Sequence, residues 1–144
     1  MLVKQISVFL ENNPGRLAEV TRILGENGID IRALSIADTT DFGILRIIVN
    51  NPDKALEKLK AEGFTVNSTN IITIAIDDIP GGLSLCLRIL MNANIGIEYM
   101  YAFTGKIVDK ALVVIRASNN EEAIKVFEKN NIRVLTENEV YNMI

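Results

Sequence analysis

The 144-residue sequence contains no histidine and a single cysteine. Without histidine the commonest general base and metal ligand near neutral pH is missing, which excludes most zinc hydrolase, catalytic-triad and histidine-switch mechanisms. No metal site and no cofactor is expected. Cys86 cannot form an intramolecular disulfide, and it falls on the apolar face of a predicted helix. A reactive thiol needs electropositive, accessible surroundings, so Cys86 reads as core filler and not as a nucleophile. Long apolar runs are also missing: none reaches the roughly 18 residues of a membrane span. The N-terminus enters a strand-like pattern without a basic segment and signal core. No membrane partner and a cytoplasmic location are the default expectations. A formal charge of −3 with no basic block argues against a nucleic-acid partner.

What is present is a 49% apolar share, enough for the cores of one mid-sized or two small domains. The chain is organised around a stretch that occurs twice. Asn12-Asn13-Pro14-Gly15-Arg16-Leu17 is matched 66 positions later by Asp78-Ile79-Pro80-Gly81-Gly82-Leu83. Each copy follows an alternating apolar run (Ile6, Val8, Leu10; Ile72, Ile74, Ile76) and precedes a helical pattern, so each reads as strand, Pro-Gly turn, helix start. Such a turn presents unpaired N–H groups at a positive helix end, and glycine permits close approach of a small anion such as a carboxylate. Pro-Gly is also an ordinary structural turn. Two copies in register favour a site.

In order, residues 3–10 predict a strand, 15–27 a helix, 30–37 and 43–49 a hairpin, a helix opened by Asn51-Pro52-Asp53 and closed by Gly63, and 64–67 a short strand. The second half repeats this with a strand at 71–77, a helix at 81–93, hairpin strands at 97–104 and 111–116, a helix at 120–130 and a strand at 132–135. Thr136 and Glu139 suggest a capping box before a short helix through Tyr141. This α+β order implies two ferredoxin-like βαββαβ units, residues 1–68 and 69–144, each an antiparallel sheet with both helices on one face and the other face open. The link Ser68-Thr69-Asn70 reaches only roughly 10 Å. Either 64–67 pairs with 71–77 as a hairpin, with terminal strands 64–67 and 132–136 exchanged between repeats, or second-strand edges meet between chains.

The repeats differ. Glu19 and Ile23 correspond to Leu85 and Ile89; Ala33, Ser35 and Ala37 to Tyr99, Tyr101 and Phe103; and Arg46 to Val113. The extra apolar surface, Leu85, Ile89, Tyr99, Tyr101, Phe103 and Val113, predicts a partner interface, most simply a homodimer. Base stacking on the aromatics is the competing reading. The acidic balance and the absence of a Lys/Arg-Gly-aromatic strand motif weigh against it.

The strand "QISVFL" followed by "NNPGRLAEVTRILGENGIDI", and "IITIAID" followed by "DIPGGLSLCLRILMNANIGI", resemble tandem ACT domains across essentially the whole chain. That resemblance implies a regulatory module that binds an amino acid or similar metabolite between ACT units, using the strand-to-helix loop of one and the second-strand start of its neighbour. By position the loop residues are Asn12, Asn13, Gly15, Arg16 and Leu17 in one copy and Asp78, Ile79, Gly81 and Leu83 in the other. The second-strand residues are Ile29 and Asp30, and Asn94 and Ile95. Asn12 replaces the family's acidic residue, and Asp30 and Gly96 replace its usual Asn.

The expected function is thus a non-catalytic amino-acid sensor, homo-oligomeric, that signals to a separate effector protein. The alternatives are a structural subunit with degenerate pockets, or a small acylphosphatase-like hydrolase that uses Arg16 to hold phosphate.

Overall fold

Two periodicities alternate along the chain, and the structure, a computed structural model describing residues 1–11, 13–38, 42–105 and 107–142, follows them closely. In order come β1 (Val3–Glu11), α1 (Arg16–Glu26), β2 (Ile31–Asp38), β3 (Phe42–Val49), α2 (Pro52–Ala61) and β4 (Thr65–Asp77). Then follow α3 (Gly82–Asn92), β5 (Ile97–Ala102), β6 (Lys110–Ala117), α4 (Asn120–Lys129), β7 (Arg133–Val134) and α5 (Glu137–Tyr141). The chain divides into two compact units, one holding residues 4–69 and the other residues 70–140 together with Met1–Val3; Tyr141 and Asn142 go with the former.

In the first unit the strand order is β2-β3-β1-β4. The pairings are antiparallel, with Ile6 opposite Ile47 and Val8 opposite Leu45 between β1 and β3, and Leu34 opposite Ile47 between β2 and β3. Ile6, Val8, Leu10, Leu45, Ile47 and Val49 point to one side, where they meet Val20, Ile23 and Leu24 of α1 and Ala55 and Leu59 of α2. Both helices therefore cover the same face, and each fully buried aliphatic side chain there contributes about 1.5–3 kcal/mol.

The second unit repeats the plan in the order β7-β4-β6-β5. Its core joins Ile72, Ile74, Ile76, Val113 and Ile115 to Cys86 and Leu90 of α3 and Ala123 and Phe127 of α4. Both units are ferredoxin-like.

Helix starts are of two kinds. Asn51 caps α2 by accepting from Lys54 N at 3.2 Å, and Asn119 caps α4 by accepting from Glu122 N at 3.0 Å. Neither α1 nor α3 has a side-chain cap; each follows a left-handed glycine instead, Gly15 at φ 88° and Gly81 at φ 85°. At α5 the expected capping box forms, with Glu139 N donating to Thr136 Oγ1 and Thr136 N donating to Glu139 Oε1, both at 3.2 Å.

Three expectations are corrected. Residues 65–77 form one unbroken strand, so Ser68-Thr69-Asn70 is not a linker and no hairpin joins 64–67 to 71–77. The stretch contains neither glycine nor proline and is rich in β-branched residues, so nothing interrupts it. Val113 belongs to the helix-side core at 6% exposure. The residue equivalent to Arg46 is Val114: Arg46 lies opposite Ser7 and Ser35, Val114 opposite Thr73 and Tyr101. The repeat offset thus grows by two within the hairpin, and a one-residue slip moves a side chain to the opposite face. Finally, the helix-free faces are not open. Gln5, Ala33, Ile48, Thr73 and Val114 are fully buried, in keeping with a face whose sequence is mostly small or apolar.

Candidate functional site at the strand-to-helix turns

At the end of β1 the chain reverses. Asn13 donates its backbone N–H to the Glu11 carbonyl at 2.7 Å and its Nδ2 to the Glu11 carboxylate at 3.2 Å. Gly15 then adopts the left-handed conformation that a side chain resists, and α1 begins with Glu19 N donating to Gly15 O at 2.9 Å. Arg16 N donates back to the Asn13 carbonyl at 3.5 Å, and α1 has no capping side chain, so the amides that follow in its first turn form a positive end.

The second turn has the same skeleton but is more crowded. Gly82 N donates to Ile79 O at 3.0 Å, Leu85 N to Gly81 O at 3.0 Å, and Asp78 N to Asp109 O at 3.2 Å. The Asp78 amide is therefore already committed to the β5–β6 hairpin. A Cβ placed on Gly82 would lie 2.2 Å from the Asp77 carbonyl oxygen. In the first turn the same position carries Arg16.

Arg16 is held on two sides. Its Nη1 donates to Glu19 at 3.0 Å and its guanidinium carbon lies 4.3 Å from the centre of the Phe64 ring, a cation–π contact. Its Nε is buried and has no hydrogen-bond partner among the described residues. Beside it, within the first unit, lies a cavity of about 230 Å3 lined by Phe9, Leu10, Glu11, Arg16, Phe42, Gly63 and Thr65. Phe9 and Phe42 form a tilted aromatic pair with centroids 5.9 Å apart. The second unit has a larger cleft of about 560 Å3 along α3, lined by Leu83, Ser84, Leu87, Arg88 and Met91. It is apolar and carries no carboxylate.

A family described as the ACT domain pair matches residues 1–144. The chain belongs to the ACT domain pair family. Among solved structures this ACT pair is similar to protein BT0572 from Bacteroides thetaiotaomicron, at 43% identity over 99% of this chain and 98% of that one, with a TM-score of 0.93. It shares its fold with the ligand-free regulatory subunit of aspartate kinase from Thermus thermophilus, at 21% identity over 89% and 93% of the two chains and a TM-score of 0.66. The regulatory subunit of aspartate kinase from Thermus flavus is similar at 19% identity over 88% and 90%, with a TM-score of 0.60. No curated protein matches the sequence. ACT pairs are regulatory modules.

The ACT pair brings only some of the expected residues together. Asn13, Gly15 and Arg16 share the first turn, and Asp78, Ile79, Gly81 and Leu83 share the second. Ile79 is 64% exposed. Asn12 lies outside the described residues. Leu17 is partly buried against the first core. Ile29 and Ile95 are buried core residues at 4% and 7% exposure, and their N–H groups donate to the Leu24 and Leu90 carbonyls at 2.9 and 3.0 Å. Asp30 pairs with Arg32 at 2.6 Å, and its N–H donates to Asn50 Oδ1 at 2.9 Å. Asn94 is exposed and has φ 57°. Within each repeat these second-strand residues follow the far end of an 11-residue helix, roughly 16 Å from the turn.

Sequence reasoning missed Phe9, Glu11, Phe42, Gly63 and Thr65 around Arg16. No local sequence signal marks them: Glu11 comes opposite Phe42 only through the register of β1 on β3. Of the expected interface residues, Leu85 is 60% exposed, while Ile89, Tyr99, Tyr101 and Phe103 are partly buried. Tyr99 and Tyr101 stack with centroids 6.5 Å apart, and Arg116 lies over Tyr99. Among the described residues no cluster of side chains suits a metal ion, and no helix is long and apolar enough to cross a membrane.

Proposed function

We propose that this ACT pair is a non-catalytic regulatory module that binds an amino acid or a similar small metabolite at its strand-to-helix turns and passes that state to a separate protein. The observation that carries this reading is the contrast between helix starts. α2 and α4 are closed by asparagine side chains, whereas α1 and α3 both follow a left-handed glycine and have no side-chain cap, their first amides, Arg16 N and Gly82 N, donating back to the turn carbonyls of Asn13 and Ile79. The amides that follow in the first turn of each helix suit an α-carboxylate. Ligand binding shifts the output only by its differential affinity for two arrangements of the protein.

The same reading places the protein in the cytoplasm as a homodimer that uses Leu85, Ile89 and the Tyr99–Phe103 strand. The ligand contacts it assigns are Asn13, Gly15 and Arg16, and Asp78, Ile79, Gly81 and Leu83. An acylphosphatase-like role fits poorly, because Arg16 is the single cation lining its cavity, Glu11 shares that lining, and the matching position in the second turn is Gly82.

Thermal unfolding against each proteinogenic amino acid at millimolar concentration tests the proposal. A ligand at one hundred times its dissociation constant stabilises by about 2.7 kcal/mol. Stabilisation by one or a few, with a change in light-scattering mass, supports the sensor. No stabilisation by any of them transfers the weight to an interaction subunit.

A further inference from the structure

We infer that Asn27-Gly28, at the C-terminal end of α1, is a latent self-modification site, converted to aspartate or isoaspartate when the last turn of that helix opens. The inference goes beyond the sensor reading and stands without it.

Asn27-Gly28 is the one Asn-Gly pair in the chain. At such a pair the glycine backbone nitrogen attacks Cγ of the asparagine. An N–C bond forms, the Cγ–Nδ2 bond breaks, and ammonia leaves with the proton of the attacking amide. Water then opens the resulting succinimide at one carbonyl to give aspartate, or at the other to give isoaspartate. Water is the co-reactant, and nothing is oxidised or reduced. Glycine has no Cβ, so no side chain shields the attacking nitrogen.

The folded turn holds these atoms apart. Ring closure needs Gly28 N on the same side of the Cα–C bond as the Asn27 side chain. At φ −99° and ψ 12° Asn27 instead turns that nitrogen toward its own backbone N. Hydrogen bonds keep it there. Asn27 Nδ2 donates to Ile23 O at 2.8 Å, which ties down the group under attack. Gly28 N donates to Gly25 O at 3.1 Å, which occupies the nucleophile. Lys54 Nζ donates to Asn27 O at 2.8 Å and anchors the peptide between the two. All of these contacts belong to one helix end, and helix ends open at a fraction of the cost of global unfolding. Gly28 is exposed and Asn27 only partly buried, so water reaches the turn once it opens.

Conversion prevents the turn from closing as before. The new carboxylate has no N–H to give to Ile23 O, and it adds a negative charge at the negative end of α1, between the exposed acids Glu26 and Asp30 in sequence. The Lys54 ammonium at this end is already bound to the Asn27 carbonyl. In isoaspartate the main chain runs through Cγ and gains a methylene, which displaces that carbonyl as well. The mark is therefore one-way and records that the helix end has opened. It is confined to the first repeat. The matching pair in the second is Ala93-Asn94, where Asn94 N donates to Met91 O at 3.0 Å in the same kind of turn, with no side-chain amide to attack.

The test is peptide mapping by mass spectrometry of the full chain aged at mildly alkaline pH over a range of urea concentrations. In denaturing urea Asn27 is expected to convert faster than every other asparagine, and in buffer at least tenfold more slowly than in denaturing urea. Below the unfolding transition the rate is expected to stay flat, because a frayed turn exposes little new surface to urea. Lys54→Met, which removes the ammonium from Asn27 O, is expected to raise the rate in buffer at least twofold and to leave the rate in denaturing urea unchanged. Asn27→Asp is expected to lower the unfolding midpoint. Faster conversion of another asparagine in denaturing urea overturns the site. Equal rates in buffer and denaturing urea overturn the protection. A rate that follows the unfolded fraction below the transition overturns opening by the turn itself, a reading that needs no variant to fold. An Asn27→Asp midpoint equal to that of the parent overturns the one-way mark.

Discussion

The carbonyl oxygen of Asp77 occupies the space in which a side chain on Gly82 would begin, 2.2 Å from an ideal Cβ. A backbone atom cannot rotate away as a side chain can. Gly82→Ala is therefore expected to cost about 3 kcal/mol, at the upper end for single substitutions. Gly81→Ala meets no atom within 4 Å and suffers only the left-handed backbone strain of about 1–2 kcal/mol. Urea unfolding of both variants checks the order. A Gly81 variant less stable than the Gly82 variant would contradict the steric argument.

The asparagine caps of α2 and α4 each satisfy one N–H that otherwise lacks a partner. Replacing Asn51 or Asn119 with alanine is expected to destabilise by about 1 kcal/mol. For a chain of this length that is a fall of about 2–4 °C in Tm per substitution, measurable by calorimetry.

Thr73 is fully buried and its hydroxyl has no hydrogen-bond partner among the described residues. Valine has nearly the same shape and no polar atom to desolvate. Thr73→Val is expected to stabilise the protein by about 1 kcal/mol. A loss of stability would show that the hydroxyl is hydrogen-bonded, for instance to an ordered water.

Burial pushes the Cys86 thiol up from 9.0 to about 11. Between those values the unfolded chain releases the proton and the folded chain retains it, so stability falls as pH rises from about 9 to about 11. The loss amounts to about 2–3 kcal/mol in total. Cys86→Ala should flatten this part of the pH–stability curve relative to the parent. The native thiol should also resist iodoacetamide at pH 8 and react once the protein is unfolded.

The Arg133 hydrogen bond, aided by Thr136, holds the Glu139 carboxyl below its usual value of 4.5. A lowered folded value contributes stability that is complete above the unfolded value and disappears as pH falls through the folded one. Both side chains are more than a third exposed, which limits the effect to about 0.5 kcal/mol after solvent screening. Glu139→Gln should remove the difference in Tm between pH 7 and pH 3.5 that this group supplies.

Apolar spacing was enough to read most of the fold. The β1 alternation of Ile6, Val8 and Leu10 and the α1 stripe of Val20 and Leu24 are local signals, and both end in the same core. The errors arose where pairing across the sheet decides. Val113 and Val114 are adjacent, alike and β-branched, and only the pairing of Val114 with Thr73 shows which of them faces the helices. Ser68-Thr69-Asn70 has a polar, loop-like composition, yet a strand whose neighbours supply hydrogen bonds tolerates it. At the candidate site, the turn could be found because its Pro-Gly repeats. The cavity could not: Phe9, Phe42 and Arg16 are brought together by tertiary structure alone, and no motif spans them.

The two copies retain the same frame, with left-handed Gly15 and Gly81 and the caps Asn51 and Asn119 at matching places. They part at the residue after the glycine. The main chain itself keeps them apart: a side chain of any kind at position 82 requires the Asp77 carbonyl to withdraw first, so the second turn cannot take on the arginine of the first by exchange of one residue alone.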